Sequence, residues 1–478
     1  MARSNNKTPV SALAHWMPGV SVALHYRRED LVADLVAGLV LAGLMVPQGM
    51  AYAQLAGLPP ITGLYTSVAV LLGYALFGPS RRLVLGPDSS LGPLIAASIV
   101  PLAAGDPQRA VALAGMLGLM VGAIGILLGT LRLGFVADLL SKPVRVGYLC
   151  GVAVLIFVGQ LPKLLGFSVH AEGVGGQLLE IAGSLPAIVP ASAAVGIGVV
   201  ATILLLGRFF PRAPGVLIAV VGASLITVAF DLAARGVAVV GALPQGVPHP
   251  ALPLVARADL VPLLLAAAGI ALVALADSIS TAASFAARIG DDVHADRELI
   301  GLGVANVFAG LFQGFPASAS GSRTAVAEQA GARTELAPFS AGILMIVLLV
   351  AAPGLTAYLP QPALAGVVIV ASLLLFDYKQ LGRLYRVRRS EFLQALTALL
   401  GVVVLGVLPG LGLAIVVSVL NFFRRAWWPH DAVLGRVDGL AGFHDLKFYP
   451  NAHTYPGLII YRFDAPLFFA NARAFHDR

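Results

Sequence analysis

The sequence predicts an all-α polytopic membrane protein. Its fourteen transmembrane segments form a seven-plus-seven inverted repeat, with half-length third and tenth helices meeting at the bilayer midplane. Three observations lead there. First, 58% of the 478 residues are hydrophobic and only 12% are charged, against roughly 25% charged in a soluble domain. Second, apolar tracts recur from about residue 31 to about residue 425, many near the ~20 residues that cross ~30 Å of hydrocarbon. Third, two of these segments, at equivalent places in the chain, open with Gly, Pro and Ser where an apolar helix should be starting.

The segments run over 33–55, 59–78, 88–104, 109–131, 143–160, 186–207, 214–231, 260–284, 297–313, 322–332, 336–352, 361–377, 391–408 and 410–424. "VALAGMLGLMVGAIGILLGTL" (111–131) is the clearest. Lipid offers no water to backbone amides and carbonyls, and these are long apolar runs, not ~10-residue alternating strands, so a helical bundle is expected and a barrel is not. The polar, mixed first thirty residues lack the features of a cleaved leader. Cys150, the single cysteine, lies in an apolar run and reads as a small buried hydrophobe.

The net charge of +7 reports topology here, and no nucleic-acid partner is expected. Basic residues concentrate in alternate connections: Arg27 and Arg28; Arg81 and Arg82; Arg132, Lys142 and Arg145; Arg208 and Arg212; Arg288 and Arg297; Arg333; Lys379, Arg383, Arg386, Arg388 and Arg389; Arg424 and Arg425. The positive-inside rule then puts both termini in the cytoplasm, which requires an even number of crossings.

The third segment opens "LVLGPDSSLGP" (83–93) and the tenth opens "GFPASASGSR" (314–323). Proline within a helix loses a hydrogen bond and clashes with the preceding turn, whereas Ser and Asp are good N-caps. Two short aqueous loops would give the same pattern. Spacing favours half-helices instead, because third and tenth are equivalent positions in two halves of seven, and an odd count makes those halves opposite in topology. Paired interruptions of this kind point to a transporter's central site. Two facing helix N-termini, with free amides and partial positive charge, suit an anion. The expected organisation is a cytoplasmic segment (1–30), a first repeat (31–231), an external connection (232–259), a second repeat (260–425) and a cytoplasmic tail (426–478).

Four stretches carry a family resemblance: "DLVAGLVLAGLMVPQGMAYAQLAGLPPITGLYTS" (34–67), "LFGPSRRLVLGPDSSLGPL" (76–94), "ALADSISTAASFAAR" (274–288) and "GFPASASGSRTAVAEQAGARTEL" (314–336). In this order they resemble the sulfate permease family of anion transporters, also described as solute carrier family twenty-six. The resemblance covers nearly the whole chain. It implies a gate portion and a core portion, substrate held between the third and tenth helices, homodimers in the lipid bilayer, and a cytoplasmic STAS domain. It also implies a small inorganic or carboxylate anion as substrate, moved by proton symport, sodium symport or exchange. The tail "YPNAHTYPGLIIYRFDAPLFFANARAFHDR" (449–478) looks like the opening of a STAS domain, with "GLIIYRFDAPLFFAN" as a strand, a turn and a second short strand. The expectation is an incomplete STAS domain, since exposed strand edges without covering helices do not make a stable unit.

The candidate site residues follow. Arg323 on a membrane helix needs a partner or a water path, and its guanidinium offers five donors in a fork matched to oxyanions. The resemblance places this Ser-Arg pair at the anion, with Ser320, Gly321 and Ser322 supplying amides and hydroxyls; a structural ion pair is the alternative. Gln48, between Pro47 and Gly49, is costly in hydrocarbon unless its amide is satisfied, and the resemblance puts it at the substrate with Tyr52 one turn later. The competing roles are a helix-to-helix hydrogen bond and ordinary aromatic packing.

Asp277 is the coupling candidate. A carboxylate inside a membrane helix can hold a proton, and its negative charge beside an anion site repels substrate until that proton arrives, so proton and anion favour each other's binding. Relatives carry a carboxylate at this place, more often Glu. A salt bridge to Arg323 is the rival role. Asp88 departs from the family pattern; it either caps Ser90 or Leu91 through their amides, or serves as a second protonation site or sodium ligand. Ser89 and Ser90 are candidate ligands of substrate or ion. "RIGDDVHADRE" (288–298) reads as a mixed-charge linker.

No spacing of His, Cys and acids suggests a metal site, and no nucleophilic triad or phosphate-cradling loop is present. Neither an enzyme nor a cofactor is expected, only a coupling ion, H+ or Na+. The expected activity is proton-coupled sulfate uptake across a bacterial inner membrane by elevator-type alternating access. Sodium-coupled bicarbonate uptake, C4-dicarboxylate transport and chloride exchange are alternatives, and an uncoupled anion channel or a STAS-mediated regulator are rivals of another class.

Overall fold

A computed structural model describes residues 17–478 apart from His25, Leu140, Glu172, Arg212 and Asp291, and it gives the backbone alone for Ala23, Ala137, Asp138, Leu139, Ile289 and Arg425. Most of the N-terminal segment, Arg212 of the basic clusters, Asp291 of the mixed-charge linker and the Arg425 side chain therefore lie outside the described residues.

A short helix α1 (Pro18–Leu24) precedes the bundle. Each apolar segment then falls on a helix: α2 (Leu31–Leu55), α3 (Pro60–Phe77), α4 (Gly92–Ala103), α5 (Pro107–Thr130), α6 (Lys142–Leu165), then, after the connecting helix α7 (Gly173–Gly183), α8 (Pro190–Phe209) and α9 (Gly215–Ala229). The second half follows with α10 (Leu260–Ile289), α11 (Ala295–Leu311), α12 (Gly321–Gln329), α13 (Leu336–Ala351), α14 (Gln361–Leu375), the connecting α15 (Tyr378–Val387), α16 (Arg389–Leu405) and α17 (Val407–Trp427). Among the described residues, eight helical stretches are long and apolar enough to cross a membrane, and α4, α9 and α13 are shorter apolar helices. The two interrupted segments give short helices, α4 with 12 residues and α12 with 9. Each is entered through a two-residue strand, β1 (Leu85–Gly86) and β2 (Ser318–Ala319).

The chain forms two compact units, Met1–Ala414 and Ile415–Arg478. Within the first, exchanging the two halves maps several of the helix pairings onto others. The α5–α11 pairing matches α13–α3, α2–α13 matches α10–α5, α6–α16 matches α14–α8, and α2–α12 matches α10–α4. The α3–α11 and α6–α14 pairings map onto themselves, as does the antiparallel β1–β2 ribbon, where Leu85 faces Ala319 and Gly86 faces Ser318.

Close packing rests on small residues, as it must where lipid removes the hydrophobic drive between helices. A Cβ on Gly122 of α5 would lie 2.6 Å from Gly303 O of α11, and one on Gly303 would lie 2.7 Å from Gly122 O. The polar ties repeat as well. Asp34, in the first turn of α2, is wholly buried and accepts from Arg333 N at 2.7 Å, Thr334 N at 3.2 Å, Thr334 Oγ1 at 2.6 Å and Tyr26 Oη at 3.0 Å. Its counterpart Asp259, just before α10, accepts from Arg109 Nη2 of α5 at 3.1 and 3.3 Å.

The second unit holds a three-stranded antiparallel sheet in the order β4 (Phe443–Asp445), β3 (Asp431–Arg436), β5 (Ile460–Phe463), and a last helix α18 (Ala472–His476). The expected strand in "GLIIYRF" is β5, but the second short strand does not form, and residues 464–470 make a bend and a turn. Asn471 explains it: its Oδ1 accepts from Phe468 N at 2.9 Å and its Nδ2 donates to Pro466 O at 3.0 Å, which curls the chain back.

Candidate functional site

The irregular entry to α12 is built into the bundle by side chains from three other helices. Phe315 N donates to Thr66 Oγ1 of α3 at 3.0 Å, and Ala317 N to Asn306 Oδ1 of α11 at 2.8 Å. Asn306 Nδ2 returns a bond to Ala317 O at 3.1 Å, and Ala319 N donates to Ser278 Oγ of α10 at 2.9 Å. The ribbon is closed by Ser320 N on Val84 O at 3.2 Å and by Val84 N on Thr324 Oγ1 at 3.1 Å. Every backbone group left over by the helix interruptions that appears in these bonds thus finds a partner, as burial demands. The 314–320 segment is fixed, not a floppy loop.

In front of these entries lies a cavity of about 360 Å³ lined by Gln48 and Tyr52 of α2, Asp88 and Ser89, Asp277 and Thr281 of α10, and Ser320, Gly321 and Ser322. Its opposite wall is apolar and comes from Ile203 of α8, Val216 of α9 and Val367, Val370, Ala371 and Leu374 of α14. Eight of the ten residues anticipated from sequence meet there. Ser90 and Arg323 do not.

Ser90 is 2% exposed, and both its amide and its hydroxyl are used by Asp88 Oδ1, at 2.9 and 2.7 Å. Asp88 thereby acts as the cap weighed for it. Leu91 N and Gly92 N also turn to Asp88 O, so the start of α4 is largely satisfied from within. The start of α12 differs: Thr324 N, bonded to Ser320 O at 3.0 Å, is the first amide on an i→i−4 carbonyl, and the amides of Gly321, Ser322 and Arg323 precede it.

Arg323, expected to face the anion, does not line this cavity. Its side chain is 2% exposed and lies behind the β1–β2 ribbon, where Nη1 donates to Pro87 O and Nη2 to Gly86 O at 3.1 Å and Ser318 O at 3.3 Å. Its carboxylate partner is Asp88, 3.7 Å away, in place of the rival pairing with Asp277. The guanidinium fork reaches carbonyls at the turn into α4, and a Cβ on Gly86 would come 3.4 Å from its Cζ and 2.7 Å from Met45 Cε.

Asp277 accepts no hydrogen bond among the described residues; the charges acting on it are Asp88, Arg145 and Arg323. Gln48 Oε1 is buried and also without a partner. The cavity therefore presents two carboxylates, the Gln48 amide, small hydroxyls and the open amides of one helix start. It is poor in mobile positive charge, since Arg323 is engaged by three carbonyls and Asp88.

The model of the Sulfate permease family matches residues 31–398. A probable sulfate transporter of Mycobacterium tuberculosis is 45% identical over 470 residues, spanning 98% of this chain and 84% of that protein. The chain belongs to the sulfate permease family. It is accordingly a multi-pass membrane transporter. The fold is also that of the murine solute carrier 26 member A9 anion transporter solved in an inward-facing state, with a TM-score of 0.85 at 22% identity, over 100% of this chain and 82% of that one. The transmembrane domain of a cyanobacterium bicarbonate transporter, BicA, aligns with a TM-score of 0.72 at 25% identity, over 81% of this chain and 98% of that one.

Sequence reasoning missed Thr281, Ser278, Asn306 and Thr66. Thr281 sits one turn after Asp277 on the same face of α10, so helical spacing alone identifies it. Asn306 was legible as a lone amide in the apolar run "LIGLGVANVFAGL".

Proposed function

We propose that the chain is a secondary anion transporter, and specifically that it takes up sulfate with protons across a bacterial inner membrane. The observation that carries this reading is the electrostatics of the cavity. The open amides of α12 and the serines Ser89, Ser320 and Ser322 suit an oxyanion, yet Asp88 and Asp277 share the same 360 Å³ space. With both carboxylates ionised the site repels an anion; with Asp277 protonated it admits one. Proton and anion then bind together, which is the linkage a symporter needs.

The cavity walls support elevator-type movement. Polar groups come from α2, α10 and the starts of α4 and α12, which pack with α3, α5, α11 and α13. The apolar wall comes from α8, α9 and α14, which pack with α6 and α16. A face of Ile203, Val216, Val367 and Val370 offers no hydrogen bonds that sliding would break. In this reading the basic connections are cytoplasmic, both termini face the cytoplasm, and the chain pairs as a homodimer.

A second reading, sodium-coupled bicarbonate uptake, is favoured by the similarity to the cyanobacterial bicarbonate transporter domain. Uptake by the purified protein in liposomes, with a panel of labelled anions and with pH and sodium gradients imposed separately, decides between them. Sulfate accumulation driven by a proton gradient is expected. Uptake driven by sodium alone replaces the first reading with the second, and flux that follows only the anion's own gradient rejects both in favour of a channel.

A further inference from the structure

We propose that Glu335 is a proton-binding site, separate from the Asp277 cavity. Glu335 immediately precedes α13 and is 4% exposed, yet neither Oε1 nor Oε2 has a hydrogen-bond partner among the described residues. It lines a cavity of about 390 Å³ whose other walls are Gly19 and Val22 of α1, Tyr26, Leu31, Ala75, Leu76, Leu336 and Phe339. A carboxylate held ionised in such a place, with no donor, costs so much that the group neutralises instead.

The surroundings decide how. Its charged neighbours are Glu298 of α11 and Arg81 of the α3–α4 connection. Glu298 is itself 1% exposed but fully engaged: Tyr74 Oη of α3 donates to its Oε2 at 2.7 Å, and Ser80 Oγ donates to its Oε1. Donors thus stabilise the charged form of Glu298, whose negative charge further disfavours a second one on Glu335. From α1 and α13 no charged residue faces the cavity, because neither helix contains one. On α2, Asp34 is taken by Tyr26, Arg333 and Thr334, and just before it Asp30 is taken by Arg333. Arg81 is exposed and does not line the cavity.

A metal ion does not fit. Hard cations require six or more oxygen ligands, and the lining offers one carboxylate and one phenol among apolar groups. The ligand is a proton, carried by Glu335, since Glu298 has donors on both of its oxygens and Glu335 has none. Loss of that proton leaves a bare charge against Val22, Ala75, Leu76 and Phe339, so ionisation must admit water or loosen α1 from the end of α3.

The test uses the full chain in liposomes with dicyclohexylcarbodiimide, an apolar reagent for protonated carboxyls. The carboxyl proton passes to a carbodiimide nitrogen, the carboxylate oxygen adds to the central carbon, and rearrangement leaves a stable N-acylurea that mass spectrometry locates. An adduct on Glu335 that fades as pH rises is expected, and it disappears in Glu335→Gln. Infrared difference spectra between low and high pH provide an independent measure: the carbonyl band of a protonated carboxyl is lost in Glu335→Gln and kept in Glu298→Gln. Spectra of the wild type and Glu335→Gln that superimpose across the pH range overturn the proposal, whether or not the reagent enters the cavity. Neither readout depends on which anion is carried.

Discussion

Arg323 and Asp88 form an ion pair across the β1–β2 ribbon, with Nη2 3.7 Å from Oδ2, and each comes from the start of a short helix in a different half of the chain. Asp88 uses its other oxygen, Oδ1, on the amide and hydroxyl of Ser90. Arg323 holds the carbonyls of Gly86, Pro87 and Ser318. The pair adds a charge contact to the ribbon bonds that join the two helix entries, and of the two residues only Asp88 lines the cavity.

Arg323→Ala should therefore destabilise the protein as well as abolish anion binding. It leaves Asp88 unpaired and three buried carbonyls without their donor, and breaking a buried pair from one side costs about 3–5 kcal/mol. Arg323→Lys keeps the charge but has no planar fork to span three acceptors, so it should recover only part of the loss. Thermal unfolding in detergent and anion binding, measured on the same samples, are expected to fall together. A normal unfolding temperature with lost binding would instead restore a direct role for Arg323 at the anion.

At Asp88 the two functions of the carboxylate can be separated. Asp88→Asn keeps an oxygen for the Ser90 amide and removes one of the two negative charges at the cavity. Asp88→Ala removes the acceptor of the Ser90 amide and hydroxyl too, which costs about 1–3 kcal/mol more for an unsatisfied buried group. Anion affinity at neutral pH should rise, or lose its dependence on pH, in the Asn variant, while stability falls further in the Ala variant. Equal stability of the two variants would show that the Ser90 contacts contribute nothing.

Much of this fold is legible in sequence because a membrane imposes strong rules. Apolar length marks each helix, and Gly, Pro and Ser at residues 86–90 and 314–322 mark where helices must start late. Seven of the eight cavity residues found from sequence carry polar side chains that hydrocarbon would not tolerate without a purpose, and the eighth is Gly321. The orientation of Arg323 was not legible, since its acceptors Gly86 and Pro87 lie more than two hundred residues away and are presented only by the long-range pairing of β1 with β2. The apolar wall was hidden for a different reason: Val367 and Val370 on α14 look like any lipid-facing residues until α14 is packed. In the tail, the turn after β5 depends on one asparagine, Asn471, which a strand reading of its apolar neighbours overrides.

The inverted pairing of α5 with α11 should be sensitive to a single methyl group. Gly303→Ala places a Cβ 2.7 Å from Gly122 O, so the helices must separate, and overpacking of this kind costs about 1–3 kcal/mol. Gly159→Ala in α6 is the control, because nothing lies within 4 Å of the added Cβ and Ala exceeds Gly in helix propensity by ~1 kcal/mol. The unfolding temperature is expected to drop for the first substitution and to hold or rise for the second.

The two equivalent clamps should differ in strength. Asp34 is wholly buried and satisfies two amides and two hydroxyls, whereas Asp259 binds only Arg109, whose side chain is 44% exposed. Asp34→Ala removes the one acceptor of four half-buried donors, at up to about 1–3 kcal/mol for an unsatisfied group; Asp259→Ala frees an arginine that water can solvate. Asp34→Ala is expected to unfold at a clearly lower temperature than Asp259→Ala, and the reverse order would show that the burial of Asp34 does not carry the clamp.

Asp277→Asn tests the coupling proposal itself. The Asn side chain is close to the same size, so Thr281, Tyr52 and the helix starts should keep their places, and Ser278 goes on holding Ala319 N. What changes is that residue 277 no longer alternates between a charge that repels the anion and a neutral state that admits it. With the alternation gone, the anion binds without waiting for a proton, and an imposed pH gradient has nothing to act on at this position. Proton-driven accumulation in liposomes is therefore expected to disappear, while exchange of internal for external labelled anion continues. Retained proton-driven uptake would move the coupling to Asp88, the other carboxylate in the cavity, and the double substitution Asp88→Asn with Asp277→Asn would then be the one to remove it.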